Sequence, residues 1–408
     1  MCLKNAASTL NRSPIPIPSM RILHLFDLYL PHTMNWAWQM VRATPGVETW
    51  VAAPWMLKNE YSSPDFRFFI RPLQSITGWL PDDEWKAEWF STNLIRSERL
   101  WPRYRNWLYE IVKNDPPEVM HAHFGPVGVH YLELAKQLGI PLITSFYGFD
   151  YARLPYEKPA YRERYLQLFQ GGAAFTTTGE LTPGLLEALG CPPEKITPMP
   201  LSITPKAFPF IHRTKVRNQL RLLQVATFTE KKGHLDTLSA FSIALQHCPN
   251  LHLTMAGERQ DKNLIQEIRR FMASHNLAKN VTLLDFIPPA DLPTFFGQFE
   301  VFIHPSRTAN NQDCEGAPVV ILEAQSSGLP VISTVHSDIP ALVRHGLSGW
   351  LAPENSPEQL AALIERFYHM DNPEYQGFSQ AAHQHVRQHF NLKNTGPKLQ
   401  ALYQSIRN

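Results

Sequence analysis

Short apolar runs alternate with longer amphipathic stretches through most of this chain, and that alternation narrows the choice of fold more than any other feature. In the first half the runs fall at 21–26, 48–53, 119–123, 141–145 and 175–178. In the second they fall at 222–226, 251–256, 281–284, 301–304 and 330–333. Helical stretches lie between them, for example at 129–138, 234–246 and 265–275. Strand and helix in alternation build parallel sheets from βα units. At 408 residues the chain is too long for one ordinary core. Two successive sets of units therefore predict an α/β protein of two Rossmann-like domains. The join falls in LSITPKAFPFIHRTKVRNQL (201–220), which carries prolines and a basic cluster and has no clean periodicity. The expected domains are 20–205 and 206–389, followed by a terminal helical stretch at 390–408. Residues 1–19 lack the apolar core of a signal segment and are expected to be a disordered extension before the first strand. NSPEQ at 355–359 predicts a helix start, with Ser356 as cap, Pro357 in the first helical position and Gln359 closing a capping box.

Composition removes several function classes. A net charge of +2 gives no concentrated positive surface for phosphates, so nucleic acid is not an expected partner. The cysteines show no CxxC spacing, which argues against a redox motif or a cysteine metal site and for free thiols in a reducing cytoplasm. No apolar run reaches the roughly 18 residues of a membrane span. No GxGxxG follows a strand, which disfavours a nicotinamide enzyme. In open parallel sheets ligands bind beyond the carboxyl ends of strands, so chemistry is sought just after the runs above.

One such place is CEGAPVVILEA (314–324), which follows the strand at 301–304 and a polar loop. It starts a helix with Pro318 near the first turn. The free N–H groups at such a start attract an anion, usually phosphate. Gly316 permits close approach of a ligand to the backbone. Glu323 lies inside an apolar helix, where it can still point along the cleft and accept hydrogen bonds from a diol such as a ribose. Glu315 can accept from another polyol. A pyrophosphate between two hydroxyl-bearing rings is a nucleotide-sugar. The alternative on spacing alone is that Glu315 caps the helix and Glu323 is solvated.

EGAPVVILEA, the following GLPVI, and the series IPALVRHGLSGWL resemble the donor-binding half of retaining family-4 glycosyltransferases of the GT-B fold. The ordered series covers at least 221–365, and a weaker match runs through HAHFG and FYGFD in the first half. The nearest flavour is the bacterial exopolysaccharide and lipopolysaccharide type, including colanic-acid enzymes. The resemblance implies two domains facing each other across a cleft, with the last helix packing back on the first domain. It implies that Glu323 binds the donor ribose, and that Glu315 sits near the donor sugar and its developing positive charge. Amides from Gly316, Ala317, Pro318 and Val319 would face the sugar and diphosphate, insofar as each has one.

VATFTEKKGH (225–234) resembles the family's VGRLxxxKGH. Lys232 falls on the lysine that neutralises the diphosphate, and Gly233 matches as well. Thr227 stands where an arginine usually grips the phosphate, and it brings no charge. Lys231 or Arg307 are the candidates to substitute. In SFYGFD (145–150), Gly148 and Asp150 match the family's FHGxD, with Asp150 a donor-site residue or a helix cap. Tyr147 takes the place of a histidine that would contact the donor sugar, and its phenol is a poor proton shuttle near neutrality. His123 in HAHFG is the catalytic candidate of the first half, or else a satisfied core histidine. His32, Thr33 and Asn35 follow the first strand and are candidates for the acceptor.

No cofactor and no metal are expected. There is no DxD after a strand, and the histidine pair 121/123 lacks obvious further zinc ligands. Residues 81–112 mix Trp, Tyr and Arg in a way that suits a membrane interface or a lipid-linked acceptor, or an ordinary helix pair with its aromatics in the core. The expectation is a cytoplasmic glycosyltransferase, with peripheral contact at the inner face of the plasma membrane as one option. It would move a sugar from a nucleotide-sugar donor to a glycan or lipid-linked saccharide. Because Thr227 and Tyr147 depart from the family, the alternatives are a non-catalytic scaffold of a polysaccharide assembly or another sugar-nucleotide enzyme such as an epimerase.

Overall fold

A computed structural model describes residues 20–29, 34–56, 63–70 and 101–407. The expectations for 1–19, His32, Thr33 and 81–100 lie outside these residues. Two parallel sheets organise the chain. The first runs in the order β5-β3-β1-β6-β7-β8-β9. Its strands are β1 (Met20–Leu25), β3 (Val47–Ala53), β5 (Arg67–Ile70), β6 (Val119–His123), β7 (Leu142–Ser145), β8 (Ala174–Thr177) and β9 (Ile196–Pro198). Two short strands, β2 (Leu28–Tyr29) and β4 (Trp55–Met56), pair beside it. The second sheet has the order β12-β11-β10-β13-β14-β15. It is made of β10 (Leu220–Val225), β11 (Leu251–Ala256), β12 (Val281–Leu284), β13 (Val301–His304), β14 (Val331–Thr334) and β15 (Gly349–Ala352).

In each sheet the chain first winds one way from a central strand and then returns to its other side. That reversal lies between β1 and β6 in the first sheet and between β10 and β13 in the second. The crevice at such a switch point, beyond the strand ends, is where a ligand fits. Central strands are apolar because both faces are covered. Leu222, Leu253, Ile303 and Ile332 share one buried cluster, while Leu223, Phe302 and Val331 lie in another.

The strands missed by pattern reading are the two-residue pair β2 and β4 and, in the two large sheets, β5, β9 and β15, each of which is an edge of its sheet. Edge strands have a partner on one side only and need no long apolar run, so their periodicity is weak. The capping box is corrected. Helix Pro357–His369 does start at Pro357, but Ser356 makes no cap bond and donates instead to the Glu354 carbonyl at 3.1 Å.

Four helices matter for the site. Helix α1 (Asn35–Ala43) follows β2, α2 (Gly125–Leu138) follows β6, α3 (Val319–Ser326) follows β13, and α4 (Leu392–Ile406) ends the described chain. Helix α4 returns to the first sheet. Its Leu392, Leu399 and Tyr403 are buried with Met20, Ile22 and Met40. Helix Trp101–Val112 covers the described part of the aromatic stretch. Its Trp101 and Tyr104 are buried, Trp101 stacks on His130 at 4.2 Å, and the Tyr104 hydroxyl donates to the Phe69 carbonyl at 2.8 Å. These two aromatics serve the core and are not offered to a membrane. No helix among the described residues is long and apolar enough to cross one.

Candidate active site

A cavity of about 430 Å³ opens between the two halves. The second half supplies most of its wall from the loops after β10, β11, β12 and β13. The first half contributes Asn35 and Trp36 from α1, and Tyr147 after β7. The rings of Trp36 and Tyr147 lie 4.4 Å apart and close one end.

Glu315 is the electrostatic centre of this cavity. It does not cap α3, whose cap position is Pro318 with no side-chain bond. Its carboxylate lies 2.7 Å from the Lys232 ammonium and 3.3 Å from that of Lys231. Burial alone would raise the Glu315 carboxyl, but the two lysines outweigh it and hold it well below the usual carboxylate range. Lys231 also reaches Asp313 at 3.1 Å. Desolvation would lower its ammonium, and Glu315 and Asp313 overcome that and raise it. Glu315 and Lys231 are therefore both held in their charged forms. The Glu315 amide donates to Nε2 of His336 at 3.1 Å, which leaves the imidazole proton on Nδ1, facing the Glu354 carboxylate at 2.6 Å. The Lys232 carbonyl accepts from the Gln224 side chain at 2.8 Å.

Glu323 differs in every respect. It is buried on α3 beside Ile321, Leu322 and Ala324 of the core, yet it lines the cavity. Its carboxyl has no hydrogen bond or ion pair among the described residues, and burial pushes it up to about 7. A lone carboxyl at the cavity wall can accept hydrogen bonds from hydroxyls of a ligand.

The remaining expected residues sort clearly. Ala317, Pro318, Val319 and Thr227 line the cavity. Gly316 does too, but its lack of a side chain serves another purpose than ligand approach. A Cβ there would lie 2.5 Å from the Tyr147 carbonyl and 2.6 Å from Thr178 Oγ1, so the first half presses on this backbone. Gly233 stands outside the cavity lining. It adopts φ +64°, and a Cβ would collide with the Pro305 carbonyl. It turns the chain from Lys232 into helix His234–Leu245. Asp150 is corrected from donor contact to architecture. It is fully buried, with Oδ1 accepting from the amides of Tyr147 and Gly148 and Oδ2 from that of Gly125 at the start of α2. His123 is likewise buried behind the wall, 2.7 Å from the Tyr147 hydroxyl and 3.1 Å from His24. Arg307 pairs with Glu230 and Asp236 and is not on the cavity wall, whereas Lys231 is.

Pattern reading missed His24, His336, Trp36 and Asp338. His24 joins His121 and His123 in a buried cluster whose ring nitrogens lie within 4.8 Å. This donor set fits a metal poorly. Imidazole lone pairs lie in the ring plane, and His123 is nearly parallel to both neighbours, at 23° to His121 and 26° to His24. Stacked rings aim their lone pairs side by side and not at one point. His121 already uses both nitrogens, on Tyr403 and Ser145 at 2.7 Å each. Burial keeps all three imidazoles neutral.

Comparison with known proteins agrees with this geometry. Residues 210–385 match the family described as glycosyl transferases group 1, and 65–202 match the glycosyl transferase 4-like domain. A Salmonella typhimurium protein named for a colanic acid biosynthesis glycosyltransferase, WcaL, is 32% identical over 71% of each chain. The chain belongs to the group 1 glycosyltransferases. The transferase is also 34% identical to the amylovoran biosynthesis glycosyltransferase AmsK of Erwinia amylovora, over 61% of each chain. It is 24% identical to an Escherichia coli UDP-Gal:α-D-GlcNAc-diphosphoundecaprenol α-1,3-galactosyltransferase, over 74% of this chain and 81% of that one. Among solved structures, HepE of Anabaena in complex with UDP superposes with a TM-score of 0.72, covering 95% of this chain and all of that one at 14% identity. At that identity the likeness establishes the fold, GT-B.

Proposed function

We propose that this transferase moves a sugar from a nucleotide-sugar donor to a glycan or lipid-linked saccharide, with retention of configuration, in the synthesis of a cell-surface or extracellular polysaccharide. The observation that carries the reading is the Glu315–Lys232 pair, set in the cavity between the halves and flanked by Lys231 and by Glu323, whose carboxyl has no partner among the described residues. A diphosphate needs cations, a ribose needs an acceptor, and a sugar needs a polar cradle, and the cavity wall offers each. Relatives named for colanic acid, amylovoran and a diphosphoundecaprenol-linked acceptor support the acceptor class. An acceptor of that kind would place the enzyme at the inner face of the plasma membrane.

Donor arrival exchanges partners. Lys232 and Lys231 turn from Glu315 to the diphosphate, and Glu315 becomes free to accept from hydroxyls of the donor sugar. Lys231 supplies the second charge that Thr227 lacks. Glu323 accepts from the ribose diol. The acceptor oxygen approaches over Trp36 and Tyr147. Its bond to the anomeric carbon forms on the face from which the diphosphate leaves. The bond from that carbon to the phosphate oxygen breaks with its electron pair on oxygen, and that oxygen takes the acceptor proton. The lysines stabilise the departing charge. No protein base is required, so the phenol of Tyr147 suffices as a wall and hydrogen-bonding group. His123 acts through Tyr147 and is a positioning residue.

The test is release of nucleoside diphosphate from a panel of UDP-, GDP- and ADP-sugars with polyprenyl-diphosphate saccharides as acceptors. One donor should turn over, with Glu315→Ala and Lys232→Ala each reducing release at least about 100-fold, the scale of losing a preorganised electrostatic group. Tight donor binding without release would favour the scaffold reading. Conversion of the donor without acceptor would favour an epimerase.

A further inference from the structure

Asp338 lies outside the cavity, in the second half, at the turn after β14. Its carboxylate is buried to 1% exposure, and it makes no cap bond to its own short helix. All its side-chain partners belong to the first half. Oδ2 accepts from the hydroxyls of Thr178 at 2.8 Å and Thr182 at 3.0 Å, and Oδ1 accepts from the Leu181 amide at 3.0 Å. Gly179 completes the cradle, since a Cβ there would lie 2.5 Å from the carboxylate. The backbone of Asp338 faces the other way, and its amide donates to the Gly316 carbonyl at 3.3 Å. Gly316 is the cavity residue on which Tyr147 and Thr178 press. One residue thus binds the two halves together and touches the wall of the site.

We propose that Asp338 is a latch that sets the closed arrangement of the two halves and so positions the acceptor side against the donor side. The physical argument is the placement of the bonds. A carboxylate that satisfied only its own half would leave the halves free to separate. Here separation breaks three hydrogen bonds to one carboxylate at once and uncovers it together with two hydroxyls and an amide, so the contact makes and breaks as a unit. Closure of this kind assembles a site whose donor wall lies on one body and whose remaining wall lies on the other. The latch therefore acts on transfer more than on nucleotide binding, because the lysines and Glu323 all sit in the second half. The inference rests on the proposed donor site for its kinetic consequence but not for its mechanical one.

The experiment compares wild type with Asp338→Asn and with the pair Thr178→Val and Thr182→Val, which removes two of the three bonds from the other half and leaves that of the Leu181 amide. Small-angle scattering should show a larger radius of gyration in both variants. Turnover should fall about 10-fold or more, while the affinity for UDP, GDP or ADP, whichever the wild type binds, changes less than about 3-fold. Wild-type hydrogen exchange gives an independent reading, with the Leu181 amide slow in the free protein if the latch is closed at rest. Unchanged scattering and turnover in folded variants, or fast exchange at Leu181 in the wild type, would overturn the proposal. Equal losses of turnover and nucleotide affinity would overturn it too, by showing that Asp338 only supports the Gly316 wall. Scattering and exchange need no substrate, so failure of the donor-site reading appears separately, as no nucleotide binding by the wild type.

Discussion

Two glutamates eight positions apart end in opposite electrostatic states because of what lies beside each. Glu315 has two ammonium groups within 3.3 Å, and Glu323 has only apolar neighbours and the cavity. Burial raises Glu323 to about 7. Unfolded, a glutamate titrates near about 4.3. Between these values the folded chain holds a proton that the unfolded chain has released, so this group's stabilising contribution is complete below about pH 4 and is lost as pH rises through 7. Glu323→Gln should therefore raise unfolding free energy at pH 8 by at most ~4 kcal/mol, seen as a higher Tm, and leave it nearly unchanged at pH 4. Thermal melts at the two pH values check this. The same variant should bind the donor about 10-fold more weakly, since a charged acceptor for the diol is gone. Greater stability with poorer binding is the signature of a group kept for function. Lys231 carries a second residue-scale expectation. Lys231→Ala should weaken UDP binding about 10-fold and uridine binding hardly at all, and Thr227→Arg in that background should restore part of the loss, read by calorimetry.

At the scale of elements, the turn from β10 into helix His234–Leu245 places Lys232. Gly233 adopts a left-handed conformation there, and its missing side chain makes room for the Pro305 carbonyl next to β13. An L-residue in that conformation costs about 1–2 kcal/mol, and the neighbour is backbone, which yields little. Gly233→Ala should lower unfolding free energy by more than about 2 kcal/mol in urea titration. It should also reduce donor turnover, because Lys232 and the turn move together. The loop after β7 works the same way. Asp150 gathers the amides of Tyr147, Gly148 and Gly125, so the wall residue Tyr147 is tied to the start of α2.

Across the whole molecule, several connections among the described residues join the halves away from the cavity. Asp338 is one, and the Arg153–Asp313 ion pair at 3.8 Å is another. A third is α4, which belongs to neither sheet's winding and brings Tyr403 to His121 under the first sheet. Tyr403→Phe keeps the ring and removes the hydroxyl, leaving His121 Nδ1 buried without its partner. That should cost about 1–3 kcal/mol, measured by denaturant unfolding of the full chain. Each sheet has its own main apolar cluster, and the halves meet through polar bonds, close backbone approaches and a few apolar side chains, such as Trp36 and Tyr147 against the second half's cluster and Cys314 in the first half's.

Sequence alone was sufficient for the two sheets' central strands, because a strand covered on both faces must be apolar along its length, and it pointed to Glu315, Lys232 and Glu323, which the structure brings to one cavity, because their motif is local and ordered. Three of the four edge strands escaped, since one-sided pairing imposes little pattern, while β12 was legible. For Asp150 and His123 the sequence left a site role and a structural one open, and the role of Gly316 escaped, because each is defined by partners far along the chain. Asp150 holds an amide at 125, His123 meets His24, and Gly316 yields to Tyr147 and Thr178. Arg307 and Lys231 were equal candidates for the missing charge until the tertiary structure turned one toward Glu230 and the other into the cavity. Asp338 had no motif at all. A local motif constrains what a residue can do, and only the packing of remote segments decides which atoms it meets.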